Sequence, residues 1–280
     1  MLILKSLSLH FTKCYLLIPG LFILAFSNLQ AQEDWIEYVT MKDKGVMSIS
    51  LDLSVDISKP NYKNLLIIGT RYQSSLKNGF PTEEGLAELF AFSDSTSAVV
   101  DRTTQNRLVG IITYQGMGFD VFYVKDTLGL RDNLKNVIGE NFNSSETFIK
   151  IDPDKSWGYY YDYLYPKNFS FEYLIDQKYL YDLVLQGDDL QGLRKVKHWI
   201  YFNSLKKRTT VGEQLKRLKF SLDSIGYKKE NKKYPYELQI SRNDSISPYS
   251  IYKLTTMLKV LCASYNSQYD GWSTEVKVKE

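Results

Sequence analysis

Val196-Lys197-His198-Trp199-Ile200-Tyr201-Phe202, followed some seventy residues later by Tyr269-Asp270-Gly271-Trp272, decides the fold of the C-terminal half. The first stretch is an apolar strand carrying the last histidine of the chain. Thr209 or Thr210 caps a helix in which Leu215, Leu218, Leu222 and Ile225 share one face, and Gly226 ends it. Residues 236–240 form the next strand. Ser247 before Pro248 opens another helix lined by Ile251, Leu254, Met257, Leu258 and Leu261. Asp270-Gly271 makes a tight turn before Trp272, and residues 272–278 alternate as a lysine-rich edge strand. A leading helix over residues 171–185 carries Leu174, Ile175, Tyr179, Leu180 and Leu183 as its apolar stripe and stops at Gly187, where a left-handed cap is cheap. The expected order is a helix and then β-α-β-α-β.

The N-terminal half reads as β-β-β-α-β-β-α-β, a mixed or antiparallel sheet with its helices on one face. Residues 46–55 alternate, with Met47, Ile49, Leu51 and Leu53 on the buried side. Leu65-Leu66-Ile67-Ile68 suits a central strand covered on both faces. Asn78-Gly79-Phe80-Pro81 breaks the chain, and Thr82 caps a helix whose first turn holds Glu83 and Glu84. Gln115-Gly116-Met117-Gly118 joins two strands of a hairpin, a polar helix covers residues 127–138, and residues 147–151 supply a last strand.

Residues 1–31 read as a secretory signal. Lys5 and Lys13 form a positive start without acids, residues 16–26 are apolar, and Leu29-Gln30-Ala31 precedes a switch to polar sequence, placing cleavage near Ala31. Pro19-Gly20 interrupts the apolar run, which is too short to span a bilayer. The protein is therefore expected to be periplasmic or secreted, with no membrane span once the signal is removed. Processing leaves 249 residues with a net charge of +1. That balance argues against a nucleic-acid groove, which needs a surplus of Lys and Arg. Cys262, on an apolar helical stretch, would then be the last thiol, expected to be structural and buried.

Chemistry is thin. With His198 the last histidine after processing, no multi-histidine metal site can form, and no metal or other cofactor is expected. No Gly-x-Ser-x-Gly elbow supports a serine triad, and Gly116-x-Gly118 belongs to a hairpin rather than a phosphate loop. Asp182, Asp188 and Asp189 are expected to be solvated turn residues. No catalytic residue is assigned. The most unusual composition is Trp157-Gly158-Tyr159-Tyr160-Tyr161-Asp162-Tyr163-Leu164-Tyr165-Pro166. It could be a stacking platform, with Trp157 and Tyr161 as contacts. We favour an extended connector that packs alternate tyrosines on each domain. His198, Asp270 and Trp272 complete the candidate interaction residues, Trp272 as an anchor on a recognition loop.

Gly187-Asp188, the strand 196–202 with His198, Gly226-Tyr227, Ser247-Pro248 and Asp270-Gly271-Trp272 give residues 169–277 a resemblance to the family of regulator of ribonuclease E activity B (RraB). Trp35-Ile36-Glu37-Tyr38, Asn78-Gly79-Phe80-Pro81, the hairpin from Gly116 and the aromatic exit to Pro166 make the first half resemble domain-of-unknown-function family 695. These likenesses imply residues 32–166 as one α+β domain and 167–280 as a ferredoxin-like α+β sandwich. The characterised RraB member binds a cytoplasmic endoribonuclease and inhibits it, which implies a non-enzymatic binding module. The expectation is an exported, monomeric, non-catalytic protein that binds a protein partner in the cell envelope. The competing reading is a hydrolase or carbohydrate-binding protein using the tyrosine segment, with Asp162, Asp188 or Asp270 as acid and base. Ribonuclease regulation is the reading if residues 1–31 do not direct export.

Overall fold

The computed structural model describes residues 35–278 apart from 43–44, 56–59 and 168. The signal reading of residues 1–31 lies outside the described residues. The first half is a six-stranded sheet ordered β1-β2-β4-β5-β3-β6, every neighbouring pair antiparallel. Its strands are β1 (Trp35–Lys42), β2 (Gly45–Asp52), β3 (Asn64–Arg71), β4 (Asn106–Tyr114), β5 (Met117–Val124) and β6 (Thr147–Pro153). Two helices, α1 (Glu83–Thr103) and α2 (Leu130–Asn141), cover one face. Phe92, Val99 and Val100 from α1 and Leu134 and Ile138 from α2 bury there against Leu66, Ile68 and Phe122. Thr82 caps α1 as expected, its hydroxyl accepting from the Gly85 amide at 3.3 Å. Leu65 and Ile67 point to the opposite, equally dry face. The dense run 65–68 is thus buried on both sides, although β3 lies next to the sheet edge.

What covers that second face corrects the connector reading. Residues 159–164 form a π-helical turn, Tyr159–Leu164, not an extended segment. Trp157, Tyr160 and Leu164 fall at helical spacing and are buried against Tyr123, Ile49 and Val109. Asp154 fixes the turn, accepting from the Gly158 and Tyr159 amides, both at 2.9 Å, and from the Tyr123 hydroxyl at 2.6 Å.

The second half opens with α3 (Phe171–Leu185) and continues β7 (Leu193–Phe202), α4 (Leu205–Arg217), β8 (Ser221–Tyr227), β9 (Tyr236–Ser245), α5 (Pro248–Ser264) and β10 (Ser267–Ser273). The β-α-β-β-α-β chain forms an antiparallel sheet ordered β10-β7-β9-β8, the ferredoxin-like arrangement. One strand was hidden in the sequence. Leu222 and Ile225 belong to β8, not to the preceding helix, and Gly226 sits inside that strand. A bulge between Leu222 and Ser224 lets Leu222 face Ile240 and Ile225 face Leu238, so two residues three apart share a face. That spacing imitates a helix. Helix α4 is capped by Ser204, whose hydroxyl accepts from the Lys207 amide, and it stops at Lys219 in the left-handed conformation, φ 65°. The Phe220 amide bonds the Leu215 carbonyl at 3.0 Å and the Lys219 amide bonds Lys216 at 2.9 Å, a Schellman motif without glycine.

The second sheet's other departure has the same cause. Strand β10 starts at Ser267, and Asp270-Gly271 is a bulge within it rather than a turn before it. Gly271, at φ 144°, allows Tyr269 and Trp272, three apart, to pair with Ile200 and His198 on the inward face of β7.

The two halves share a core. Val39, Val46 and Phe80 from the first pack with Leu180, Leu183 and Val184 of α3, and the described residues form a single compact unit. Gln177, fully buried, accepts the Val39 amide at 2.8 Å on the edge of β1. Asn78 donates to the carbonyls of Val184 at 2.7 Å and Asp188 at 3.0 Å. It thereby holds the loop that delivers Phe80, whose burial is worth ~1.5–3 kcal/mol.

The left-handed Lys219 makes a sharp test of the α4 boundary. Lys219→Gly should relieve the Cβ strain and raise the unfolding free energy in urea by about 1 kcal/mol. A helix running on to Ile225 would instead be weakened by glycine.

Candidate functional site: a tyrosine-lined cleft

Among the described residues, a cleft of about 370 Å³ opens where the two halves meet. Its walls come from β1 and β2, from the π-helical turn and its exit, from the start of α3, and from the first turn of α5. Six tyrosines line it: Tyr38, Tyr163, Tyr165, Tyr173, Tyr249 and Tyr252. Lys42 and Lys167 stand there with one carboxylate, Asp162. The volume falls in the range of ordinary ligand clefts.

Each wall is braced from behind. The Tyr38 hydroxyl donates to the Leu164 carbonyl and locks β1 to the π-helical turn. Tyr163 stacks on Tyr159 with centroids 4.7 Å apart, and the Lys42 ammonium lies 4.7 Å from the Tyr163 ring centroid. Tyr173 meets Tyr252 edge-on at 5.5 Å. Burial, then the neighbouring Tyr252, pushes the Tyr173 hydroxyl up to about 12, so it stays protonated and able to donate. Tyr249 is 67% exposed and projects freely.

Three of the residues singled out in the sequence are out of a partner's reach. Trp157 is 1% exposed, stacked on Tyr123 at 3.8 Å, with its indole N–H donated to the Tyr62 carbonyl at 2.8 Å. Trp272 is a core pillar rather than an anchor on a loop. Its indole N–H bonds the Asp176 carboxylate at 2.9 Å, and Thr255 donates to the same group at 2.5 Å. Burial raises the Asp176 pKa, opposed by these two bonds. His198 is fully buried, with Nδ1 at 2.9 Å from the Tyr269 hydroxyl and Nε2 without a partner among the described residues. Burial first, then the positive Arg242, pulls its pKa down to about 3. It is a neutral core group at any ordinary pH. Tyr161 and Asp270 remain exposed, Tyr161 on the π-helical turn and Asp270 on the β10 bulge.

The three acids proposed for hydrolysis do not converge. Asp162 lines the cleft, Asp270 is on the edge strand, and Asp188 is fully buried beyond the end of α3. Asp188 is not a solvated turn residue. It makes a two-pronged ion pair with Arg194, one contact at 3.0 Å, and accepts the Leu190 and Lys277 amides at 2.8 and 2.7 Å. The bond to Lys277 ties the C-terminal segment to the end of α3. Cys262 is buried, and burial pushes its thiol up to about 11, with Ser267 pulling the other way. Among the described residues no group of three or more His, Cys, Asp or Glu could hold a metal, and no helix is long and apolar enough to cross a membrane.

Residues 33–165 match DUF695, a family of unknown function, and residues 175–274 match RraB, regulator of ribonuclease activity B. The RraB match begins within α3 and ends just past β10, so it spans the ferredoxin-like sheet. The DUF695 match ends at Tyr165, on the cleft wall. The cleft is therefore lined from both matched stretches and from Pro166, Lys167 and Tyr173 between them. No curated protein matches the chain. A crystal structure described as a glycine cleavage system transcriptional repressor aligns with 77% of this chain and 100% of its own, at 9% identity and a TM-score of 0.24. An unknown protein from Galdieria sulphuraria aligns with 76% and 99%, at 8% identity and a TM-score of 0.21.

Sequence reasoning found the exit Tyr163-Leu164-Tyr165-Pro166 but missed Tyr38, Tyr173, Tyr249 and Tyr252. The available signal was their surplus: Tyr249 and Tyr252 stand three apart in the first turn of α5, off the stripe of Ile251, Leu254 and Leu258.

His198 gives a pH test. Its folded pKa lies below the unfolded value of ~6.5, so the unfolded chain binds the proton first, and stability is lost as pH falls from ~6.5 toward 3. In urea titrations the parent should lose up to about 1.4 kcal/mol per pH unit relative to His198→Leu across that window. A parent-to-variant difference independent of pH would mean that His198 titrates normally.

Proposed function

We propose that the protein is an exported, non-catalytic regulatory module that binds a protein partner in the cell envelope, with the tyrosine-lined cleft as its contact site. The RraB match carries this reading, because that family is described as a regulator of another protein's activity. The cleft supports it. Tyrosine presents large contact area with few rotatable bonds and a polar tip, which suits recognition. Among the described residues the cleft holds one carboxylate, Asp162, set among phenols and ammonium groups, where paired acid-base work needs two. The buried His198 and Cys262 have pKa values shifted by burial in directions that suppress reactivity. Export rests on the three-part pattern of residues 1–31.

A second reading keeps the described role of the RraB family, regulation of a ribonuclease, and holds if the chain stays in the cytoplasm. One pair of experiments separates the two. Residues 1–31 fused to a reporter that is active only outside the cytoplasm should give signal; silence would favour the ribonuclease reading. The full chain, used as bait in an envelope extract, should return one reproducible protein that rebinds when purified. Repeatedly empty captures would count against a binding role.

A further inference from the structure

We infer that the tyrosine-lined cleft takes an acidic, proline-rich peptide in the polyproline II conformation, a step that rests on the protein-binding reading above. The cleft is lined by aromatic rings and, among the described residues, carries more positive than negative groups. Tyr165, Tyr173, Tyr249 and Tyr252 line it, Tyr173 buried and Tyr249 exposed, and Lys42 and Lys167 add two cations. Against these, among the described residues, stands one carboxylate, that of Asp162.

The ligand must therefore bring compact apolar rings that pack on tyrosine faces, and carry negative charge. A neutral sugar brings no charge to meet the lysines. An ordinary extended peptide loses more backbone entropy on being ordered in the groove. A polyproline II segment has all its carbonyls free and, at each proline, no N–H. Its pyrrolidine rings fit between aromatic side chains, the mode by which aromatic-lined grooves recognise such peptides. Glutamate or aspartate flanking the prolines would meet Lys42 and Lys167 at the cleft. Because the bound conformation is already populated in the free peptide, little ordering entropy opposes binding.

The test uses the full chain and a fluorescein-labelled oligoproline peptide containing glutamates, read by fluorescence anisotropy. Controls are the same peptide with lysine for glutamate and a Gly/Ser peptide of equal negative charge. Saturable binding of the acidic oligoproline alone is expected. Tyr249→Ala, an exposed change that removes no core contact, should weaken it at least ~tenfold. Lys42→Glu combined with Lys167→Glu should reverse the preference in favour of the lysine peptide. The inference is overturned if the acidic oligoproline does not bind, if the Gly/Ser peptide binds equally well, or if Tyr249→Ala leaves affinity unchanged. If a purified envelope partner still binds after any of those results, the peptide inference fails while the binding-module reading stands. Loss of both would sink the two together.

Discussion

Helix α3 closes an exposed edge on one side and a sheet core on the other, and the rest of the structure hangs on that double contact. Strand β1 is the outermost strand of its sheet, and an uncovered edge invites pairing with another chain. Gln177 takes the Val39 amide, and Val39 itself buries with Leu180 and Val184. On the other side of the helix, Asp176 accepts from Trp272 and Thr255, fixing α3 to β10 and α5 at once. A helix whose adjacent Asp176 and Gln177 serve opposite neighbours cannot slide or rotate without stranding a buried polar group. Such a loss costs ~1–3 kcal/mol per group.

The tyrosine cleft follows from this arrangement. Tyr173, at the start of α3, meets Tyr252 of α5, while Tyr38 of β1 holds the π-helical turn through the Leu164 carbonyl. Five of the six rings are therefore set by α3, α5, β1 and the π-helical turn rather than by a loop, so a ligand would find them preorganised. The unusual ionisations elsewhere have a plainer origin. Asp120 on β5 is raised to about 6 mainly by burial, and Asp176 and His198 are shifted for the same reason. Each is surrounded by core rather than by open space, so these shifts describe packing and do not mark a reactive site.

Most of the fold was legible because its pattern is local. The alternation over 46–55, the dense run 65–68, the Thr82 cap and the Ser247-Pro248 start all register in a few neighbouring side chains. Both errors in the second sheet came from bulges. In β8 and β10 an extra residue puts apolar side chains three apart on one face, which reads as helix at 222–225 and as a turn at 270–271. Glycine signalled the second bulge through Gly271. Nothing in the composition of Asp223 or Lys219 announced the first bulge or the helix end before it. The connector at 157–165 was misjudged because Trp157, Tyr160 and Leu164 can serve either an extended run or a helical turn until the Asp154 cap is known.

The sequence by itself determined two sheet-and-helix halves and most of their strand and helix content, since these depend on periodicity and on turn residues close together. Only the tertiary structure decided that Trp157, His198 and Trp272 are core groups, that Asp188 is a buried ion-pair partner, and that six tyrosines converge in one cleft. Those tyrosines are scattered from Tyr38 to Tyr252, and no local rule links them. Their meeting is a consequence of α3 burying both its flanks, a constraint satisfied only when the whole chain has packed.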